Sequence, residues 1–126
     1  MAGPTVLIAD DEPVLRQLLI RILERRGCRV LEAEDGAAAQ RRLAEAPGAV
    51  DVAIVDVTMP PGCVETVEAL LRQRPDLGVV LTSGIAPTPE VRALLERCGG
   101  AFVGKPFAPA ELLRAVKEVG SGARSR

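Results

Sequence analysis

The sequence predicts an α/β fold, a doubly wound parallel sheet of five strands with helices on both faces. Short apolar runs alternate with longer amphipathic stretches along the whole chain, the signature of successive βα units. The runs Thr5–Ala9 and Val52–Val55 are apolar without a break, as expected of strands covered on both sides. Pro, Gly or an acidic residue marks the junctions between runs. A length of 126 residues suits one domain, and 48% hydrophobic residues can build a core without staples.

Thr5–Ala9 is the first strand, ended by Asp10-Asp11-Glu12. From Pro13 to Arg26, Val14, Leu15, Leu18, Leu19, Ile22 and Leu23 recur at helical spacing, opposite Arg16, Arg21, Arg25 and Arg26. Asp11 or Glu12 opens this helix, Pro13 suits its first turn, and Gly27 suits its stop. Cys28–Ala33 is the second strand. Asp35-Gly36 turns the chain into an alanine-rich helix, Ala37–Ala46, stopped by Pro47-Gly48. Val52–Val55 is the third strand and ends at Asp56, and a third helix runs from Thr66 to Arg74 before Pro75. Leu77–Leu81 is the fourth strand, followed by Thr82-Ser83-Gly84. Thr88 caps a helix with Pro89 at its first position, and Gly99-Gly100 ends it after Cys98. Ala101–Gly104 is the fifth strand, Pro109–Val119 the last helix, and Ser121–Arg126 a polar tail or linker stub beyond a domain of residues 1–120.

Composition excludes several function classes. A net charge of −1, from 16 basic and 17 acidic residues, offers no electrostatic footprint for nucleic acid or an anionic membrane. Two Phe, with no Tyr or Trp, leave little to stack bases on. Cys28, Cys63 and Cys98 are widely spaced, with no CxxC pair and no histidine, so neither a disulfide framework nor a zinc site is expected. They read as small buried hydrophobes. No basic segment precedes an apolar stretch of signal length, and no run approaches the roughly 20 apolar residues that span a bilayer. The expectation is a soluble cytoplasmic protein.

The polar residues of interest fall at one end of the predicted strands. Asp10 and Asp11 follow the first, Asp56 the third, Ser83 the fourth and Lys105 the fifth. In a parallel sheet these ends share an edge, the edge where such folds bind ligands. Three crowded carboxylates repel, and a divalent cation removes that penalty. Oxygen ligands without His or Cys favour Mg²⁺ or Mn²⁺. With Lys105, such a cluster is charge-balanced and can accept a phosphoryl group while a carboxylate oxygen attacks in line. Taken singly, each residue has a plainer reading: Asp11 as a helix cap, Ser83 as a turn residue, Lys105 as a surface charge. The joint pattern carries the argument.

These residues resemble the receiver domain of two-component response regulators, from about Thr5 to Val119. The matching motifs are Asp10-Asp11, Asp56 followed by Met59-Pro60, Ser83-Gly84 and Lys105-Pro106-Phe107. The resemblance implies a flavodoxin-like receiver fold of strand order 2-1-3-4-5. It implies Asp56 as phosphoacceptor, with Asp11 and Asp10 (directly or through water), Asp56 and the backbone carbonyl of Thr58 holding Mg²⁺ or Mn²⁺. Lys105 would contact the phosphoryl group, Ser83 would be the switch hydroxyl, and Phe102 the switch aromatic. Thr82 competes with Ser83, but Ser83 precedes a small residue and fits the family spacing to Lys105. The implied donor is a histidine kinase or phosphotransfer protein. The implied readout is the face of helix 4, strand 5 and helix 5, on a monomer or weak dimer. The chain would be stand-alone or part of a hybrid kinase, without DNA binding of its own. It would not be an enzyme beyond Mg²⁺-dependent self-phosphorylation and self-dephosphorylation. One departure stands beside Asp56: Pro60-Pro61-Gly62 makes a shorter, stiffer loop than the family usually has. The loop motivates an alternative, a receiver-like binding module that does not use phosphorylation. An aspartyl-phosphate phosphatase is the third reading, weakened by Thr58 where such enzymes place an acid.

Overall fold

The computed structural model describes residues 3–46, 48–59 and 62–124. Its elements alternate as expected: β1 Thr5–Ala9, α1 Pro13–Glu24, β2 Arg29–Ala33, α2 Gly36–Glu45, β3 Val52–Asp56, α3 Cys63–Gln73, β4 Gly78–Ser83, α4 Pro89–Cys98, β5 Ala101–Gly104 and α5 Pro109–Arg124. The five strands are parallel, in the order β2-β1-β3-β4-β5. Parallel neighbours need crossover connections, and the helices supply them on both faces.

Each strand feeds two cores. Leu7, Ala9, Ala53, Val55, Val79 and Leu81 point toward α2, α3 and α4, where they meet Leu43, Val67, Leu70 and Leu94. The alternate residues Val6, Ile8, Val52, Ile54, Val80 and Val103 meet Leu19 and Leu23 of α1 and Leu112 and Val116 of α5. This two-sided burial explains the unbroken apolar runs of the central strands. The edge strand β2 is only partly buried.

Several boundaries differ from the sequence reading. β4 starts at Gly78 and includes Thr82 and Ser83, because both remain in register with neighbours, Thr82 with Asp56 and Ser83 with Gly104. Leu77 instead closes a turn onto the Arg74 carbonyl. α3 begins three residues before Thr66, at Cys63, because Gly62 adopts φ 149°, which suits glycine, and leads directly into the helix. α5 runs through Arg124 rather than stopping at Val119, since no proline interrupts it, so part of the expected polar tail is helical. Ser125, Arg126, Pro47, Pro60 and Pro61 lie outside the described residues. In α1 the six apolar residues do not share one face. Leu19 and Leu23 are buried and Leu15 and Ile22 pack against the core, while Val14 is 86% and Leu18 50% exposed. That stripe is wider than the arc one helix presents to a sheet, and the pair one turn apart falls on its flank.

Caps follow the chemistry of their residues. Asp35 accepts from the Ala38 N–H at 2.7 Å, and Thr88 from the Val91 N–H at 3.2 Å. Glu12 occupies the cap of α1 without a side-chain bond, so neither Asp11 nor Glu12 is spent on capping there. All three cysteines are free, and burial pushes each thiol up, in keeping with apolar filling. Among the described residues no helix is long and apolar enough to cross a membrane.

Gly78 sits where α5 closes onto the start of β4. A Cβ there would lie 2.9 Å from the Val119 carbonyl oxygen and 3.0 Å from its carbon. Both are backbone atoms that cannot turn aside. Gly78→Ala is expected to destabilise the fold by about 1–3 kcal/mol in urea denaturation. Gly84→Ala, with nothing within 4 Å of its Cβ, should stay within about 0.5 kcal/mol of the parent.

Candidate functional site

The parallel register brings the polar strand ends together. Ala9 pairs with Val55, so Asp10 and Asp56 emerge side by side one residue further on. Asp56 pairs with Thr82, and the Lys105 N–H donates to the Ser83 carbonyl at 2.7 Å. The carboxylates of Asp10, Asp11 and Asp56 each place an oxygen within 4.8 Å of the others. Asp10 and Asp56 are each 1% exposed, whereas Asp11 is open to solvent.

Lys105 reaches into this group. Its Nζ lies 3.1 Å from Asp56 Oδ1 and 3.9 Å from both Asp10 Oδ2 and Glu12 Oε1. The peptide that follows it, Lys105–Pro106, is cis. The other oxygen of Asp56, Oδ2, accepts from the Thr58 hydroxyl at 2.9 Å. Asp10 Oδ1 accepts from the Glu12 N–H at 2.8 Å, but Oδ2 is buried and takes no hydrogen bond. Burial pushes the Asp10 carboxyl up, and the charges of Asp56 and Glu12 push the same way. The Glu12 N–H and Lys105 oppose them.

The three clustered carboxylates, set against one ammonium that also faces the exposed Glu12, leave at least two negative charges, which a divalent cation would offset. Asp10 Oδ2, buried without a hydrogen bond, and an all-oxygen donor set fit a hard cation such as Mg²⁺ or Mn²⁺. The expected acids and Lys105 therefore converge. Ser83 does not touch them: it is buried, and its hydroxyl accepts from the Ile85 N–H at 3.1 Å. By strand alternation Ser83 shares the α2–α4 side with Phe102, which packs half-buried on that core. Thr82 leaves β4 on the same side as Asp56, and its buried hydroxyl has no hydrogen-bond partner.

Three groups in the site escaped the sequence reading. The resemblance assigns Thr58 only a backbone carbonyl, whereas in the structure its hydroxyl donates to Asp56. Glu12 faces Lys105, and Arg16 donates to the Asp10 carbonyl at 2.6 Å. An acidic residue beside Asp11 and an arginine one turn along a helix carry no local signal of such contacts.

Known proteins resemble this chain in sequence and in fold. A family model described as the response regulator receiver domain matches residues 6–117. The sensor kinase CckA of Brucella abortus is 35% identical over 116 residues, 91% of this chain and 12% of that protein. The chemotaxis protein CheY of Thermotoga maritima is 26% identical over 119 residues, 93% of this chain and 98% of that protein. The chain spans between 12% and 54% of the length of four other curated relatives, CckA among them. Among solved structures, Vibrio cholerae CheY4 superposes with a TM-score of 0.83 at 30% identity, over 94% of this chain and 99% of its own. A receiver domain from Clostridium thermocellum reaches a TM-score of 0.89 over 97% of this chain and 98% of its own. At 21% identity it speaks for the fold alone.

The raised Asp10 carboxyl sets a sign for stability. Its folded-state pKa lies above the unfolded value, so the native state is favoured below that value and loses stability as pH rises past it. In chelator, Asp10→Asn should therefore melt a few degrees above wild type at neutral pH, with the gap closing below about pH 4. Millimolar Mg²⁺ should raise the melting temperature of wild type and not that of Asp10→Asn, as thermal-shift titration would show.

Proposed function

This chain belongs to the response regulator receiver domain family, which supports a phosphoaccepting signalling role, and on that premise we propose that Asp56 receives a phosphoryl group from a histidine kinase or phosphotransfer protein. The observation that carries the proposal is the Lys105–Asp56 contact of 3.1 Å inside a cluster of three carboxylates at the strand ends.

The chemistry follows from the groups present. An oxygen of Asp56 attacks phosphorus, and the phosphorus–nitrogen bond of the donor's phosphohistidine breaks. The electron pair stays on the imidazole nitrogen, which takes up a proton, and an acyl phosphate forms on Asp56. Asp10, Asp11, Asp56 and the Thr58 carbonyl would hold Mg²⁺ or Mn²⁺, whose charge offsets that of the phosphoryl oxygens. Lys105 holds Asp56 Oδ1 at rest and lies close enough to pair with an incoming phosphoryl oxygen. Release of Asp56 Oδ2 by the Thr58 hydroxyl frees a lone pair for attack.

The signal leaves through the hydroxyl at the end of β4. Ser83 gives up the Ile85 N–H and turns to the phosphoryl group, and Phe102, on the same side of the sheet, moves with it. The face of α4, β5 and α5 then changes shape for a downstream protein. The chain acts on itself rather than turning over a separate substrate, it works in the cytoplasm as a monomer or weak dimer, and it contacts no nucleic acid directly.

Incubation with acetyl phosphate and Mg²⁺, read by intact mass spectrometry, should add one phosphoryl group to wild type and none to Asp56→Asn. Chelation should abolish the label. Lys105→Ala should slow its appearance by about 10²-fold, the scale for losing one charge-stabilising donor. Equal labelling of Asp56→Asn would end the proposal.

A further inference from the structure

The turn after β1 is braced from outside the acidic cluster. Arg16, in the first turns of α1, is a largely buried cation with a side chain 13% exposed. Its Nη1 donates to the Asp10 carbonyl at 2.6 Å, and its Nε donates to Glu32 Oε1 at 3.0 Å. Glu32 belongs to the edge strand β2, and its own carbonyl accepts from Arg42 of α2 at 3.2 Å. The Asp10 N–H donates to Ala33 of the same strand at 3.1 Å. Both ends of Asp10's backbone are thus tied to β2, one directly and one through Arg16.

The carbonyl that Arg16 holds belongs to the peptide joining Asp10 to Asp11. Its orientation sets the direction in which Asp11 leaves the chain. The Asp11 carboxylate needs that guidance, because it is exposed and no hydrogen bond or ion pair fixes it among the described residues. We propose that Arg16 is a positioning residue, which aims Asp11 at the shared oxygen site by locking the Asp10–Asp11 peptide. The inference rests on the metal site of the proposed function.

Two effects of Arg16 oppose each other. A cation near a metal site repels the metal, so its removal would tighten binding. A brace on a ligand favours binding, so its removal would loosen it. The charge is paired with Glu32 at 3.0 Å, which leaves a weak net field at the cluster. Loss of a partner that orients a metal ligand typically weakens affinity by about 10–100-fold. Positioning therefore wins, and the sign of the change reports it.

The test is calorimetric titration of the metal-stripped full chain with Mg²⁺, with urea denaturation in chelator as the measure of the fold. Arg16→Ala should weaken Mg²⁺ binding by about 10-fold or more. Arg16→Lys should recover only part, because one ammonium cannot reach both acceptors as the guanidinium fork does. Glu32→Gln should lie between wild type and Arg16→Ala. Unchanged or tighter binding in Arg16→Ala, whatever its urea stability, overturns the inference. Should Arg16→Ala not fold, Glu32→Gln decides, and wild-type affinity there overturns it equally. A wild type that takes up no Mg²⁺ overturns the metal reading and this inference together.

Discussion

Asp10 and Asp56 lose nearly all contact with water at the ends of two apolar strands, and a buried carboxylate persists only where something replaces its hydration. Most of the site's structure can be read as that replacement. Lys105 arrives from β5 to pair with Asp56, the Thr58 hydroxyl caps its second oxygen, and the Glu12 N–H serves Asp10. One oxygen, Asp10 Oδ2, is left without a hydrogen bond. A cluster that is almost but not fully compensated could take up an added cation. The same imbalance raises the Asp10 carboxyl.

The two faces of the sheet divide the labour. Strand alternation places Asp56 and Thr82 toward the α1–α5 side, and Ser83 and Phe102 toward the α2–α4 side. The end of β4 carries one hydroxyl to each side of the sheet, a crossing from Thr82 to Ser83. The adjacent hydroxyls Thr82 and Ser83 stand at that crossing, the first without a hydrogen bond and the second bound to the Ile85 N–H. If the Ser83 hydroxyl left the Ile85 N–H for the acidic cluster, as proposed, one hydrogen bond would be exchanged for another.

The site residues Asp10, Asp11, Asp56 and Lys105 were legible because each follows a recognisable apolar run, and strand ends in a parallel sheet share an edge. Ser83 was legible as a position, yet not as a contact: its bond to Ile85 is a turn within the loop, with no pattern that betrays it. Arg16 read as one more solvated arginine opposite the apolar stripe. Its partners Asp10 and Glu32 lie on different strands, and the side chain meets them only when β1 and β2 pair. Val14 and Leu18 read as core for the converse reason. Period alone marks an apolar stripe and does not say how much of it a sheet will cover.

The sequence by itself determined the order of elements, the parallel character of the sheet and the identity of the acids and the lysine. Those follow from local apolar periodicity and from turn and cap residues, which act within a few positions of the chain. Only the tertiary structure decided how far β4 and α5 extend, which apolar residues of α1 meet the core, and what holds each carboxylate oxygen. Those depend on register and on contacts between strands far apart in sequence, where a shift of one residue turns every side chain to the opposite face.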